Sequence, residues 1–485
     1  VCGIVGIVST TPVNQQVYDA LGLLQHRGQD STGIATLDGP HVHMSKAKGM
    51  VREAFRTRDM RSLPGQIGLG HVRYATKGEA ANELEAQPFY VNAPYGIVLV
   101  HNGNLTNTRE LESELATQDM RHTNTGSDTE ALLNVLGSEL QKLVRGTGLD
   151  ADQVFEAVTH THERIRGSYA VIALIAGHGM LAFRDPFGIR PLVLGRREGQ
   201  AGRTEWMVAS ESVALTASGY ELVRDVAPGE AVFITPDGQL VSRQTCASTG
   251  LVPCAFEYVY LARPDSIMNG INVYESRLRL GETMADTIAA HTPRGDIDVV
   301  MPIPDSARPQ AMEVARRLGV EYREGYYKNR YVGRTFIMPG QEQRKKSVRQ
   351  KLSCLASEFE GKNVLIVDDS IVRGTTSREI VEMTRQVGAN SVTFTSAAPP
   401  VRHPNVYGIN MPTRSELIAA GRTIPEVRQE LGSDHLVYQE IPDMVSAITA
   451  GTDLDRLEDS CFSGNYVTGD VDEEYLRWVE RTQLS

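Results

Sequence analysis

Short apolar runs bounded by turn residues fill the first part of the chain, and longer amphipathic periods fill the rest. Residues 3–8, 68–73, 96–101, 169–175, 180–184 and 230–234 have strand length and composition, several of them separated by Gly, Pro or Asp. Among them a 3.6-residue period predicts helices over 13–25, 128–143 and 152–164. Ser127, with Glu130 three residues later, has the spacing of a capping box. This order predicts layered sheets with helices on the outside.

The pattern changes at residues 243–253, RQTCASTGLVP, a polar stretch rich in turn residues. A helix at 275–290, a strand at 297–301, a helix at 307–318, a strand at 363–367, a helix at 376–387 and a strand at 391–396 then follow one another. Such alternation predicts a βαβ core with a mostly parallel sheet, whose sites lie beyond the carboxyl ends of its strands. The expected division is an α+β domain over 2–245, an α/β domain over 246–470 and a helical tail over 471–485.

Composition adds limits. A chain of 485 residues exceeds the size at which one core stops growing, so two active sites fit on one peptide. Apolar residues at 41% and charged residues at 22% are ordinary globular usage and point to a soluble folded protein. With 49 Lys and Arg against 60 Asp and Glu, the net charge of -11 weighs against nucleic-acid binding. The N-terminal apolar run ends by Ser9 without a basic start, and no stretch approaches membrane-spanning length, so neither secretion nor membrane insertion is expected. The 5 cysteines are odd in number and scattered, which suits a reducing cytoplasm.

Cys2 opens the first strand, where a small buried thiol is the plain structural reading. Its place beside the N-terminus gives a second reading. A cysteine with a free α-amine, of ordinary pKa about 8, carries nucleophile and general base in one residue. Val1 would consume that nitrogen in a peptide bond: either it records a non-standard start codon read as methionine and is trimmed, or it persists and the glutaminase chemistry depends on a much weaker base or fails. Asn102 and the Gly103 N–H can form an oxyanion pair, although His101 to Asn104 taken alone also reads as an Asn-Gly turn. Arg27 and Arg73 can grip an α-carboxylate or simply face solvent, and Asp128 can accept from an ammonium or merely complement a helix N-terminus.

Taken together, Cys2-Gly3-Ile4-Val5-Gly6, Gln25-His26-Arg27-Gly28-Gln29-Asp30, Gly70-His71-Val72-Arg73-Tyr74, His101-Asn102-Gly103-Asn104 and Gly126-Ser127-Asp128-Thr129-Glu130 resemble the N-terminal-nucleophile glutamine amidotransferase family. The resemblance implies an αββα sandwich of two antiparallel sheets. It also implies that Cys2 attacks the glutamine amide while Asn102 and Gly103 hold the oxyanion. Arg73 would bind the substrate carboxylate and Asp128 its ammonium, with Arg27 at the mouth near Cys2.

A second constellation lies at 364–376. An apolar strand runs into Asp368-Asp369-Ser370-Ile371-Val372-Arg373-Gly374-Thr375-Thr376 and then a helix. Paired acids can be a solvated turn; they can also hold ribose hydroxyls and Mg²⁺, while Gly374 and a hydroxyl-rich helix start suit a phosphate. The loop is neither GxxxxGKT nor GxGxxG, so it does not advertise ATP or a dinucleotide. It resembles the phosphoribosyltransferase signature, which implies that Asp368 and Asp369 contact the ribose and residues 371–376 wrap the 5-phosphate. The earlier strand end, with Asp305 and Ser306, looks like the diphosphate loop, with Ser306 joining the acid pair near the metal; Asp305 departs from the commoner Glu at its place. The basic stretch 326–351 reads either as a solvated face or as a lid over phosphoryl groups, with Lys328, Arg334 and Lys351 as its candidate cations.

With Pro264-Asp265-Ser266 and Gly408 to Pro412 also in place, the chain from residue 2 to about 470 resembles the amidophosphoribosyltransferase family. That implies 5-phosphoribosylamine, glutamate and diphosphate as products, an internal ammonia channel, a homotetramer and inhibition by purine nucleotides. The iron-sulfur cysteines of some members map here to Cys254, Asn405, Glu458 and Cys461, so no cluster is expected. Three alternatives stay open: a sugar-isomerising or asparagine-forming enzyme, a salvage phosphoribosyltransferase, and a purine-sensing regulator without catalysis.

Overall fold

Among the described residues thirteen strands form before residue 245: β1 (Gly3–Val8), β2 (Ser31–Asp38), β3 (His41–Lys48), β4 (Ile67–Arg73), β5 (Phe89–Val91), β6 (Ile97–Leu105), β7 (Gly167–Ile175), β8 (Gly179–Arg184), β9 (Val193–Glu198), β10 (Thr204–Ala209), β11 (Glu221–Asp225), β12 (Glu230–Ile234) and β13 (Leu240–Gln244). The structure is a computed structural model describing residues 1–74, 83–144, 146, 148–292, 296–328, 352–411 and 413–484. Seven strands make one antiparallel sheet, β11-β9-β10-β1-β4-β2-β3, and six make another, β13-β12-β8-β7-β6-β5. The two-residue side-chain period sorts β1 cleanly: Ile4 and Val8 enter the core between the sheets, while Val5 and Ile7 face the outer helices. Helices Asn14–Leu23 and Ser212–Ala217 cover the first sheet, and Asp128–Leu143 and Ala151–Arg164 cover the second. The αββα sandwich is therefore present.

Two local expectations are corrected. His101 to Asn104 do not follow a strand but belong to β6, which continues to Leu105 because each of these residues pairs with β7. The capping box at Ser127 does not form, since the Ser127 side chain makes no cap bond. Glu130 instead accepts from the Asn124 and Thr125 N–H groups at 2.9 and 2.8 Å and ties down the preceding loop.

After the sandwich come a small hairpin, β14 (Ile267–Met268) with β15 (Ile271–Asn272), and then β16 (Val299–Pro302), β17 (Glu321–Tyr322), β18 (Tyr326–Lys328), β19 (Leu352–Cys354), β20 (Asn363–Asp368), β21 (Ser391–Ser396) and β22 (His435–Tyr438). Five of these form a wholly parallel sheet, β17-β16-β20-β21-β22. Helices Val273–His291 and Arg308–Leu318 pack on one face with Val300 and Leu365, and Thr375–Gln386 and Ile424–Leu431 on the other with Ile366 and Phe394. A last helix spans Glu473–Leu484. Among the described residues no helix is long and apolar enough to cross a membrane.

The halves share a buried seam. Ile189 of the sandwich packs in one apolar cluster with Phe256, Tyr407 and Phe462. Asn104 Nδ2 donates to the Val406 carbonyl at 2.8 Å, Ser168 Oγ to the Tyr407 carbonyl at 2.8 Å, and Thr106 Oγ1 to Asp470 Oδ2 at 2.6 Å.

Candidate active sites

β1 and β4 run antiparallel with Gly3 opposite Val72, so Cys2 and Arg73 emerge at one end of the sandwich. The end of β6 reaches the same place from the facing sheet. There the Cys2 N–H donates to Asn102 Oδ1 at 3.1 Å, which fixes the amide orientation and turns Nδ2 away. Asn102 Nδ2 is buried and has no hydrogen-bond partner. A buried amide donor left open beside a thiol is costly unless a ligand completes it. The Cys2 thiol lies 3.9 Å from the Tyr74 carbonyl.

The other glutamine-site residues fall nearby with partners of their own. Arg73 is nearly buried and donates to Glu85 Oε2 at 2.6 Å. Asp128 opens its helix, accepts from the Leu105 N–H at 3.0 Å and lies 3.8 Å from His101 Nδ1. Arg27 differs from its expectation as a substrate-binding group at the mouth: its side chain is 0% exposed and is held by Glu211, Glu257 and the Cys2 carbonyl. Glu85, Glu211 and Glu257 were not singled out in the sequence. Their only local signal is an acid within an apolar neighbourhood, and their partners are remote in the chain.

The second site gathers at the carboxyl ends of β16 and β20, neighbours in the parallel sheet with Pro302 opposite Val367. Asp369 accepts from Ser306 Oγ and from Ser370 Oγ, the latter at 2.7 Å, and its N–H donates to Asp368 Oδ1 at 2.9 Å. Burial and the neighbouring charge of Asp369 push the Asp368 carboxyl well up; burial raises Asp369 too, against the hydroxyls of Ser306 and Ser370. Past this pair Ile371 plants its side chain in the core, the Val372 carbonyl accepts from the Ile418 N–H at 2.9 Å, and Arg373 pairs with Glu416 at 3.3 Å. Gly374, at φ 73°, then turns the chain into the helix Thr375–Gln386, whose first N–H groups are open to an anion. Across from it Asp305 is held by Lys328 Nζ at 3.0 Å and Arg308 at 2.9 Å. Arg334, Lys351 and Pro412 lie outside the described residues.

The fold, a sandwich opening on a cysteine and joined to a parallel sheet that ends in paired acids, is that of a glutamine amidotransferase carrying a phosphoribosyltransferase. The glutamine amidotransferase domain matches residues 71–217 and the phosphoribosyl transferase domain residues 274–403. The chain is 54% identical over 483 residues to the amidophosphoribosyltransferase of Pseudomonas aeruginosa, covering 99% of this chain and 96% of the relative. It is 46% identical over 491 residues to that of Saccharomyces cerevisiae, covering 100% and 96%. Among solved structures it is similar to the glutamine phosphoribosylpyrophosphate amidotransferase of B. subtilis complexed with ADP and GMP, with a TM-score of 0.84, 36% identity and coverage of 97% and 98%. The chain belongs to the amidophosphoribosyltransferase family.

Proposed function

We propose that the two sites act in sequence: the first frees ammonia from glutamine, and the second joins it to 5-phosphoribosyl 1-diphosphate. The products are 5-phosphoribosylamine, glutamate and diphosphate, the entry to purine synthesis. The observation that carries the residue assignment is the open Asn102 Nδ2 beside Cys2. The Cys2 sulfur attacks the amide carbon, the carbonyl electrons move onto oxygen, and Asn102 Nδ2 and the Gly103 N–H donate to that oxyanion. The oxyanion collapses, the C–N bond breaks and the amide nitrogen leaves as ammonia with the proton that came from the thiol; water then adds to the thioester carbon, and the C–S bond breaks to give glutamate and the thiol. In a chain that begins at Cys2, the α-amine takes the thiol proton from the place where the Cys2 nitrogen meets Asn102. Arg73 and Asp128 hold the two ends of glutamine.

At the second site Asp368 and Asp369 receive the ribose hydroxyls, residues 371–376 the 5-phosphate, and Asp305 and Ser306 flank the diphosphate. Among the described residues no group of three His, Cys, Asp or Glu side chains forms a metal cage. Two buried carboxylates with Ser306 nonetheless fit Mg²⁺, which commonly takes one or two carboxylates and completes its shell from substrate phosphates and water. The ion would neutralise charge on the departing diphosphate. Ammonia attacks C1 as diphosphate leaves, with Lys328, beside Asp305, as a candidate lid cation; the other two candidates, Arg334 and Lys351, lie outside the described residues. An iron-sulfur cluster does not fit: Cys254 and Cys461 supply two thiols where four thiolates are wanted, and burial raises both, Cys254 to about 12. Purine nucleotides as inhibitors, a homotetrameric assembly and a cytoplasmic location complete the proposal; the B. subtilis relative, solved with ADP and GMP, supports the first of these.

The test is to mix the protein with glutamine, Mg²⁺ and phosphoribosyl diphosphate and to quantify glutamate and diphosphate. Near-equal yields that require both substrates are expected. Glutamate release without diphosphate would overturn the transfer step.

A further inference from the structure

A buried charge cluster adjoins the nucleophile, and the steps described above make no use of it. Arg190 and Glu211 belong to the sandwich with Arg27, whereas Glu257 comes from the segment joining the sandwich to the second domain. The side chains of Arg27, Arg190 and Glu211 are 0% exposed and that of Glu257 2%. Glu257 spans Arg27, its Oε1 accepting from one terminal nitrogen at 2.6 Å and its Oε2 from the other at 2.9 Å, and Oε1 also accepts from Arg190 at 3.1 Å. Glu211 Oε1 accepts from Arg27 at 2.5 Å. With both terminal nitrogens held, Arg27 Nε donates to the Cys2 carbonyl at 2.9 Å.

Such a cluster is a poor source of stability, because desolvation offsets most of the attraction and apolar replacements often serve a fold as well. What it supplies is direction. A planar guanidinium fixed at two nitrogens presents the third to one place only, here the backbone of the residue that carries the thiol. Burial opposes the charge on Glu257, yet Arg27 and Arg190 hold its carboxyl below the usual range, so the clamp stays ionised. Glu257 is itself anchored. It opens a π-helical turn, Glu257–Leu261, a rare form that tends to occur at functional sites. Arg277 donates to the Tyr258 carbonyl in that turn and to the Ala262 carbonyl just after it, both at 2.8 Å.

We propose that Glu257 is a positioning residue for the glutamine reaction, supplied from outside the sandwich: it orients Arg27, and Arg27 holds the Cys2 backbone so that the thiol meets the amide. This rests on Cys2 being the nucleophile.

The test uses the full chain and Glu257→Gln, which keeps the shape and drops the charge. Glutamine turnover is expected to fall about ten- to a hundred-fold in kcat, as a misplaced reacting group does, with KM for glutamine little changed. Alkylation of Cys2 by iodoacetamide slows in parallel, while ammonia-dependent synthesis persists. Glu257→Asp, with the charge on a shorter reach, recovers part of the loss. Unchanged alkylation and glutamine turnover in Glu257→Gln overturn the proposal, and so does loss of ammonia-dependent synthesis in both variants, which leaves Glu257 a folding role alone. The underlying assignment fails separately, if the parent enzyme alkylated at Cys2 still hydrolyses glutamine.

Discussion

Asn102 faces the proposed nucleophile with both ends of one amide: Oδ1 accepts from the Cys2 nitrogen, and Nδ2, without a partner, is open for the proposed oxyanion. Removing the thiol alone should therefore separate the two chemistries. Cys2→Ala is expected to abolish product formation from glutamine and to leave formation from ammonia largely intact, read as diphosphate release with each nitrogen source; loss of both in a folded protein would refute the division. At the acid pair the residue-scale effect is electrostatic cost. Because burial raises Asp368 and Asp369, the folded state binds their protons more tightly than the unfolded chain does. The pair thus lowers stability above the ordinary Asp range, near pKa about 3.9, and the cost is relieved as pH falls through the raised folded values. Asp368→Asn should raise the melting temperature of the ligand-free protein at neutral pH, with a gain that shrinks on acidification. An unchanged melting temperature across pH would show the pair to be unstrained. Asp368→Asn with Asp369→Asn should end synthesis from either nitrogen source.

Elements were legible where burial is one-sided or complete. β1, β7 and β8 are buried throughout and mostly apolar, and β16 and β20 announce themselves as apolar runs ending in Pro or Asp. The strands that escaped sequence reading have other patterns. β3 and β13 are edge strands, partly or mostly exposed and rich in polar side chains, β2 is buried but mixes Ser, Thr and Gly with Ile, Ala and Leu, and β22 has only four residues. The candidate sites were legible where their residues cluster in sequence, as 368–376 do, or where separated segments together carried the resemblance, as 2–6, 70–74, 101–104 and 126–130 did. Arg27 was misread because its acids lie 184 and 230 residues away, a pairing no local window contains. One loop yields an element-scale prediction. Gly374 has φ 73°, and a Cβ there would sit 2.1 Å from Ile418 Cδ1. Gly374→Ala should cost about 1–3 kcal/mol through backbone strain and contact. It should raise KM for phosphoribosyl diphosphate equally with glutamine and with ammonia, and a KM effect confined to glutamine would show that the loop does not hold the phosphate.

At the scale of the molecule, the positions of the family's cluster cysteines lie in the seam between the halves, where Cys254 and Cys461 are packed with Phe256 and Phe462. Anaerobically purified protein is expected to contain no stoichiometric iron or sulfide, and finding both would show that the mapping onto Cys254, Asn405, Glu458 and Cys461 is wrong. The same seam brings the second half against the oxyanion strand. Val406 and Tyr407 accept from Asn104 and Ser168, and Gly408, at φ 97°, lies so close that a Cβ on it would meet the Gly103 backbone at 2.8 Å. Gly408→Ala must therefore displace residue 408, Gly103 or both. Since the Gly103 N–H is one of two donors proposed for the oxyanion, and loss of one such donor costs about 10²–10³ in kcat, glutamine-dependent synthesis should fall on that order. Ammonia-dependent synthesis and KM for phosphoribosyl diphosphate should hold, because β16, β20 and their loops lie in a different part of the second half. The measurement is kcat with each nitrogen source alongside a thermal melt. Equal loss from both sources would place the damage in the second domain's own fold, and full retention of glutamine turnover would mean that Gly103 does not carry the oxyanion.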